Sequence, residues 1–310
     1  MLENLDSHQD ITRLTDRLLR SADAYGRFPT PVDDILAAAD LEEAPETFLS
    51  ESSIATMPAH LRGVLRRVSG KVHAALDRRT RVVHINPATD LAGKKAFKRL
   101  HETAHDLFPW QHIGEGRIGF ADNEMTLSRK TTILFEREAN QGAAELLFQR
   151  DRFAEMAADY AIGCAAIIEL AELLGASRHA SFRRYVETHS QPVAGVILGA
   201  RPFEREPLAF QRNEAICSQA WLDQFEDPAT WPPILRAQPF SFVEQARACT
   251  GFGPPDGNWA YLDLNNESVN LKVEAMSNSY KTFVLAWQPR REILKRRRTI
   301  VTTPTTVSEG

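Results

Sequence analysis

The sequence predicts an α+β fold, with a mostly helical domain at residues 1–195 and a small α+β domain at residues 205–298. Three observations support this division. Apolar residues recur at helical spacing through much of the first part, and one short stretch in it alternates like a β-hairpin. After Gly195 the composition changes, with many prolines and tryptophans. Residues 299–310 are polar, rich in threonine, and predicted to be a disordered tail.

Length and composition are those of an ordinary globular chain. Its 310 residues are 43% hydrophobic and 25% charged, and the formal net charge is −4. So small a charge gives no argument for nucleic-acid binding. The three cysteines lie far apart without CxxC spacing, which is typical of reduced thiols. The polar N-terminus and the lack of any apolar run of membrane-spanning length predict a cytoplasmic protein with no membrane contact.

The elements on either side of the central region are predicted from periodicity. Helices are expected at residues 8–24 and, after Pro31, at 32–39. Two alternating stretches, 71–76 and 81–87, are joined by a polar turn and predict a β-hairpin. The C-terminal domain is expected to hold two or three strands and carries no recognised motif. Its role, as an accessory sensor, a docking domain or an extra packing layer, stays open.

One segment contains His101-Glu102-x-x-His105, the HExxH pattern of zinc hydrolases. A helix is predicted over residues 93–108, because a buried apolar stripe runs along it to a proline that ends it. Residues four apart share one helix face, so the two imidazoles can hold one metal ion. Glu102 is rotated by about 100° from His101, so its carboxylate can lie beside the ion and act as a general base.

Such a site needs a third protein ligand, with the fourth position left for water. A second helix, predicted at 129–149, carries Glu136, which we prefer as that ligand. Asn140, one turn later, is predicted to hydrogen-bond a ligand histidine. Glu138 is rotated by about 200° from Glu136 and is therefore expected to face solvent. The other candidates downstream of the HExxH segment are His112, Glu115, Asp122, Glu124 and Glu138.

Two motifs of this sequence together resemble the ImmA/IrrE family of zinc metallopeptidases. They are F-x-x-x-H-E-x-x-H, which begins at Phe97, and E-x-x-A-N-x-x-A-A-x-L-L, which begins at Glu136. The resemblance covers roughly residues 10–190 and is specific in the two metal-site segments. The family often has glycine where Ala104 stands and an aromatic residue where Gly142 stands. Neither departure removes chemistry, and Gly142 is expected only to weaken local packing.

The resemblance implies a gluzincin-like peptidase core that binds Zn²⁺, with Mn²⁺ as the alternative because a His₂Glu site accepts either ion. In the expected mechanism, Glu102 takes a proton from a metal-activated water and returns it to the leaving amine. His112 and Arg184 are candidates for the oxyanion donor. For several family members the resemblance implies cutting of a transcriptional repressor in a stress or mobile-element response. The predicted partner is therefore a protein substrate, such as a DNA-binding repressor.

Residues 166–189 resemble a helix-turn-helix, with Ser177 predicted to cap a second helix that carries Arg183 and Arg184. This pattern leaves an alternative function open, that of a regulatory protein which binds DNA or a partner without catalysis. The small net charge, and a similar segment in the ImmA/IrrE family, favour packing within the peptidase unit. The basic segment 290–298 is interpreted as a solvated tail. A zinc hydrolase of non-peptide substrates is a third possibility.

Overall fold

The computed structural model describes residues 7–45, 47, 50–58, 62, 74–87, 92–112, 129–199, 209–236, 257–278 and 280–289. Nine α-helices lie within these ranges. The helices are α1 (His8–Ser21), α2 (Val32–Ala38), α3 (Glu51–Thr56), α4 (Ala92–Leu107), α5 (Arg129–Leu147), α6 (Arg152–Ala158), α7 (Cys164–Leu174), α8 (Arg178–Thr188) and α9 (Gln219–Leu222). Two 3₁₀ turns cover Pro109–Gln111 and Pro228–Thr230. Within these ranges, no helix combines the length and the apolar character that a membrane span requires.

Nine strands in the same ranges form two sheets, so the protein is α+β, as predicted. The strands are β1 (Glu42–Glu43), β2 (Ala74–Asp77), β3 (Val82–Ile85), β4 (Val193–Gly199), β5 (Ala209–Cys217), β6 (Ile234–Arg236), β7 (Gly257–Leu262), β8 (Ser268–Ser277) and β9 (Lys281–Trp287). The small sheet has the order β1-β3-β2 and contains the predicted hairpin. The large sheet has the order β6-β5-β4-β9-β8-β7, and all its neighbouring strands are antiparallel.

Strand β4 lies inside the large sheet, between β5 and β9, and is buried on both faces. Its side chains alternate between two cores. Val193 and Ile197 pack with the helices, while Val196 and Leu198 pack on the other face with a cluster of aromatic residues. A strand buried on both faces has a continuous apolar sequence without polar alternation. The sequence predicted two or three strands in this region, whereas the large sheet has six, and β4 is one of the strands that the prediction missed.

Helices α4 and α5 cross where Gly142 faces α4. A Cβ atom at this position would lie 2.6 Å from Cζ of Phe108 and 2.9 Å from Cβ of Ala104. Both distances are shorter than real carbon contacts, so only glycine allows the two helices to come this close. The expectation that Gly142 merely weakens packing was wrong, because the ring of Phe108 fills the space that a side chain would need.

The helix-turn-helix-like segment consists of α7, a turn through Gly175 with a φ of 66°, and α8. Ser177 caps α8, as predicted, because its Oγ accepts a hydrogen bond from the amide of Ala180 at 3.1 Å. The two arginines of α8 form ion pairs within the chain, Arg183 with Glu214 of β5 at 2.6 Å and Arg184 with Glu145 of α5 at 2.7 Å. In this structure α8 therefore packs between the large sheet and α5.

We expect Gly142→Ala to destabilise the protein by about 1–3 kcal/mol, because overpacking a tight contact costs more than the gain in helix propensity. The measurement is the free energy of unfolding in urea. Asn140→Ala is the matched control, since Asn140 is exposed on the same helix. The control should be neutral or slightly stabilising. A Gly142→Ala variant at least as stable as the wild type would show that α4 and α5 can separate without loss.

The stabilisation that Glu214 provides is predicted to depend on pH. A hydrogen bond from His179 is the main cause that lowers the pKa of Glu214 to about 2, with further help from Arg183 and against the opposing effect of burial. A lowered native pKa means that the stabilisation is complete above the ordinary value of 4.5 and is lost as the pH falls toward 2.

Glu214→Gln should therefore reduce the unfolding free energy most at about pH 5, and the difference from the wild type should shrink by pH 3. Urea unfolding at both pH values measures it. The control is Glu155→Gln, which changes an exposed pair with Arg152 and should give a small difference at both values. A Glu214→Gln difference that does not change with pH would contradict the prediction.

Candidate metal centre

His101 and His105 on α4 and Glu136 on α5 come together where the two helices pack. Nε2 of His101 lies 3.1 Å from Nε2 of His105. The carboxylate oxygens of Glu136 lie 3.4 Å from Nε2 of His101 and 3.5 Å from Nε2 of His105. The three residues predicted as ligands thus form a triangle of donor groups, in which Oε2 of Glu136 faces His101 and Oε1 faces His105.

This triangle has the size that a metal ion requires. Ligand atoms each about 2.0–2.1 Å from a tetrahedral zinc ion lie about 3.3–3.4 Å from one another. The three observed distances lie within about 0.3 Å of that range. Two imidazoles and one carboxylate are donors that suit Zn²⁺ and also Mn²⁺. His101, His105 and Glu136 could therefore hold a metal ion, and they are the one such group among the described residues.

The site is buried on the histidine side and open on the glutamate side. The side chains of His101 and His105 are 7% and 5% exposed, whereas that of Glu136 is 40% exposed. Burial raises the pKa of Glu136, but the hydrogen bonds and charges of the two histidines outweigh it, so the pKa lies well below its usual value. Glu136 is therefore a carboxylate at neutral pH, the form that binds metal.

Glu102 lies between the two histidines in sequence and is almost completely buried. Burial raises its pKa, while the nearby charges of His101 and His105 oppose the shift. Its Oε2 atom is buried and has no hydrogen-bond partner among the described residues. An oxygen left unpaired inside a protein costs free energy, so it is typical of a place where a water molecule or a ligand is bound.

The imidazole of His105 is hydrogen-bonded to Gln111, a residue that the sequence analysis did not single out. Nδ1 of His105 lies 2.7 Å from Oε1 of Gln111, in the 3₁₀ turn after α4. Asn140, which was predicted for this kind of contact, is exposed on α5. The helix position of Asn140 suggested the contact, but it is the turn after Pro109 that brings a side chain, Gln111, to Nδ1 of His105. Gln111 therefore takes the place of Asn140 as the partner of a ligand histidine.

Glu138 corrects a second expectation, because it is 3% exposed and does not face solvent. It accepts hydrogen bonds from Nε2 of Gln111 at 2.7 Å and from Nε1 of Trp110 at 2.8 Å, and it also bonds Ser7. The angle of about 200° from Glu136 is right for a helix. What was wrong is the assumption that this face of α5 meets water, since the 3₁₀ turn and the start of α1 cover it.

Of the remaining candidates, His112 and Arg184 have other partners. His112 contacts the backbone oxygen of Asp106 at 2.6 Å through its Nε2 atom, and Arg184 pairs with Glu145. Neither contact places these residues at the metal centre as an oxyanion donor. Glu115, Asp122 and Glu124 lie outside the described residues.

One family of known proteins matches the part of the chain that contains this site. Residues 61–184 match the model of the Peptidase_M78 family, described as the IrrE N-terminal-like domain. Among solved structures, a Mycobacterium tuberculosis transcriptional regulator is similar, with 12% identity, a TM-score of 0.48, and coverage of 90% of this chain and 76% of that chain. No curated protein matches. The match over residues 61–184 confirms the resemblance to ImmA/IrrE proteins noted in the sequence.

Proposed function

We propose that this protein is a zinc-dependent endopeptidase with a gluzincin-like core that cleaves a protein substrate. The observation that carries the proposal is the triangle of His101, His105 and Glu136, with the buried carboxylate of Glu102 next to it in the HExxH motif. The match to the Peptidase_M78 model supports the same function. Because His101 and His105 are buried and Glu136 is partly exposed, the substrate would approach from the side of Glu136.

The residues have separate roles in this proposal. A Zn²⁺ ion held by His101, His105 and Glu136 would supply Lewis acidity and lower the pKa of a water molecule next to it. Glu102 accepts the proton of the attacking water through its unpaired Oε2 and then passes it to the nitrogen of the leaving amine. Burial raises the pKa of Glu102, which makes its carboxylate a better proton acceptor than an exposed glutamate.

The substrate class is proposed on the resemblance to ImmA/IrrE proteins. For several members of that family the resemblance implies cutting of a DNA-binding repressor in a stress or mobile-element response, and we propose the same class of substrate here. The alternative, direct DNA binding through α8, is less well supported. Arg183 and Arg184 are both occupied by carboxylates of the same chain, and the side chain of Arg184 is only 9% exposed.

The metal site has a direct test in elemental analysis of the purified protein. We expect one zinc ion for each wild-type chain and none in His101→Ala or Glu136→Ala, because each variant removes one corner of the triangle. Glu172→Gln, an exposed change on α7, is the control and should keep the metal. No metal in the wild type after zinc is supplied would refute the proposed function.

Catalysis is tested by Glu102→Gln. This variant should retain zinc, because Glu102 is not a ligand, and should lose about 10²–10⁴-fold in cleavage rate. The measurement is the appearance of new peptide N-termini in a lysate of cells that lack the protein, detected by N-terminal labelling and mass spectrometry. Glu172→Gln should cut like the wild type. Equal cleavage by Glu102→Gln and the wild type would exclude Glu102 as the general base.

A further inference from the structure

Behind His105, polar side chains from two other parts of the chain form a hydrogen-bonded series, His105 to Gln111 to Glu138. We propose that Glu138, acting through Gln111, is a positioning residue that fixes the tautomer of His105 and aims its Nε2 atom at the metal centre. This inference rests on the proposed metal site, but one of its tests needs neither metal nor catalysis.

The orientation of the Gln111 amide follows from its other contacts. Nε2 of Gln111 lies 2.7 Å from Oε2 of Glu138 and 3.3 Å from the backbone oxygen of Phe135. A carboxylate and a carbonyl only accept hydrogen bonds, so the NH₂ group of Gln111 must face them. The amide oxygen then points the other way, toward His105. The flipped amide would place Oε1 of Gln111 against the carboxylate oxygen of Glu138 and the backbone oxygen of Phe135, and none of these oxygens can donate.

The tautomer of His105 follows from this orientation. Oε1 of Gln111 can only accept, and it lies 2.7 Å from Nδ1 of His105, so Nδ1 carries the proton. In a neutral imidazole the other nitrogen then has a free lone pair. That nitrogen, Nε2, is the atom that faces His101 and Glu136. The series therefore holds His105 in the form that binds metal.

Burial of the Glu138 carboxylate is energetically unfavourable. Glu138 is 3% exposed, and no cation pairs with it in the described part of the chain. Its contacts are neutral groups, from Gln111, Trp110 and Ser7. A buried carboxylate without a cation costs free energy that an apolar side chain of similar size would not. A purely structural role does not explain such a residue, whereas a charged acceptor that locks an amide does.

The backbone at Gln111 is also fixed. Arg78, in the turn between β2 and β3, donates to the carbonyl of His105 at 2.8 Å and to the carbonyl of Gln111 at 3.2 Å. One guanidinium therefore ties the last turn of α4 to the 3₁₀ turn that follows it. The distance between the imidazole of His105 and the amide of Gln111 is held by backbone as well as by side chains.

The chain provides a matched control for Glu138. Glu145 lies on the same helix and is 8% exposed, but it is neutralised by Arg184 at 2.7 Å and has no contact with the metal centre in the described structure. Replacing either glutamate by glutamine removes a buried negative charge from α5. Only the change at Glu138 alters the series that ends on His105.

The experiment compares full-length wild type with Gln111→Leu, Glu138→Leu, Glu138→Gln and Glu145→Gln. The first readout is the ring ¹⁵N shifts of His105 in metal-free protein, which distinguish the Nδ1–H from the Nε2–H tautomer. The second is zinc affinity, measured by competition with a chromophoric chelator on folded protein. Urea unfolding of the metal-free variants identifies any that fail to fold. If Glu138→Leu is one of these, Gln111→Leu and Glu138→Gln still decide the question.

We expect the Nδ1–H tautomer in the wild type and its loss in Gln111→Leu. Zinc affinity should fall about 10–100-fold in Gln111→Leu and Glu138→Leu, and by less in Glu138→Gln, whose amide oxygen can still accept from Gln111. Glu145→Gln should bind zinc like the wild type even if it is less stable.

Two results would overturn the inference. One is a Gln111→Leu protein that keeps both the tautomer and the zinc affinity of the wild type. The other is an equal loss of affinity in Glu145→Gln, which would indicate general loosening of α5. A wild type that binds no zinc would refute the proposed function, but the ¹⁵N shifts would still show whether Gln111 sets the tautomer of His105.

Discussion

The close approach of α4 and α5 is the constraint on which the candidate metal centre depends. The two histidines belong to one helix and Glu136 to the other, so the sides of the ligand triangle are set by the distance between two helix axes. Gly142 allows that distance, because Phe108 and Ala104 fill the space where a side chain would be. The packing of small and large residues about two turns away thus determines whether three donors can meet at one ion.

The three residues that could hold a metal ion were predicted from the sequence, since a helix fixes which residues share a face and the HExxH spacing rarely arises by chance in a chain of this length. The residues that support His105, which are Gln111 and Glu138, could not be predicted from the sequence. The helical angle of Glu138 was predicted correctly, but its burial depends on which segment covers that face of α5. Gln111 follows a proline in a short turn, and no periodic pattern indicates where such a side chain points. Contacts between distant segments were therefore the missing information.

The same limit applies to the fold. The two or three strands expected in the C-terminal domain did not include β4. Strand β4 has an uninterrupted apolar sequence because both its faces are covered, one by helices and one by aromatic residues. Its sequence alone does not distinguish it from a buried helix. The ion pairs of Arg183 and Arg184 in α8 could not be predicted either. Their carboxylate partners, Glu214 and Glu145, lie far away in the sequence.

Gly195 of β4 lies against Phe182 of α8, where an added Cβ would be 2.6 Å from the ring. Helix α8 therefore rests directly on the backbone of the large sheet. A fragment that ended before β4 would uncover Phe182 and Val186, both fully buried in the whole protein. Apolar surface of this kind promotes aggregation. Attempts to isolate the part that holds the candidate metal centre, for crystallisation or screening, should thus begin with a chain that retains β4, β9 and the strands beside them.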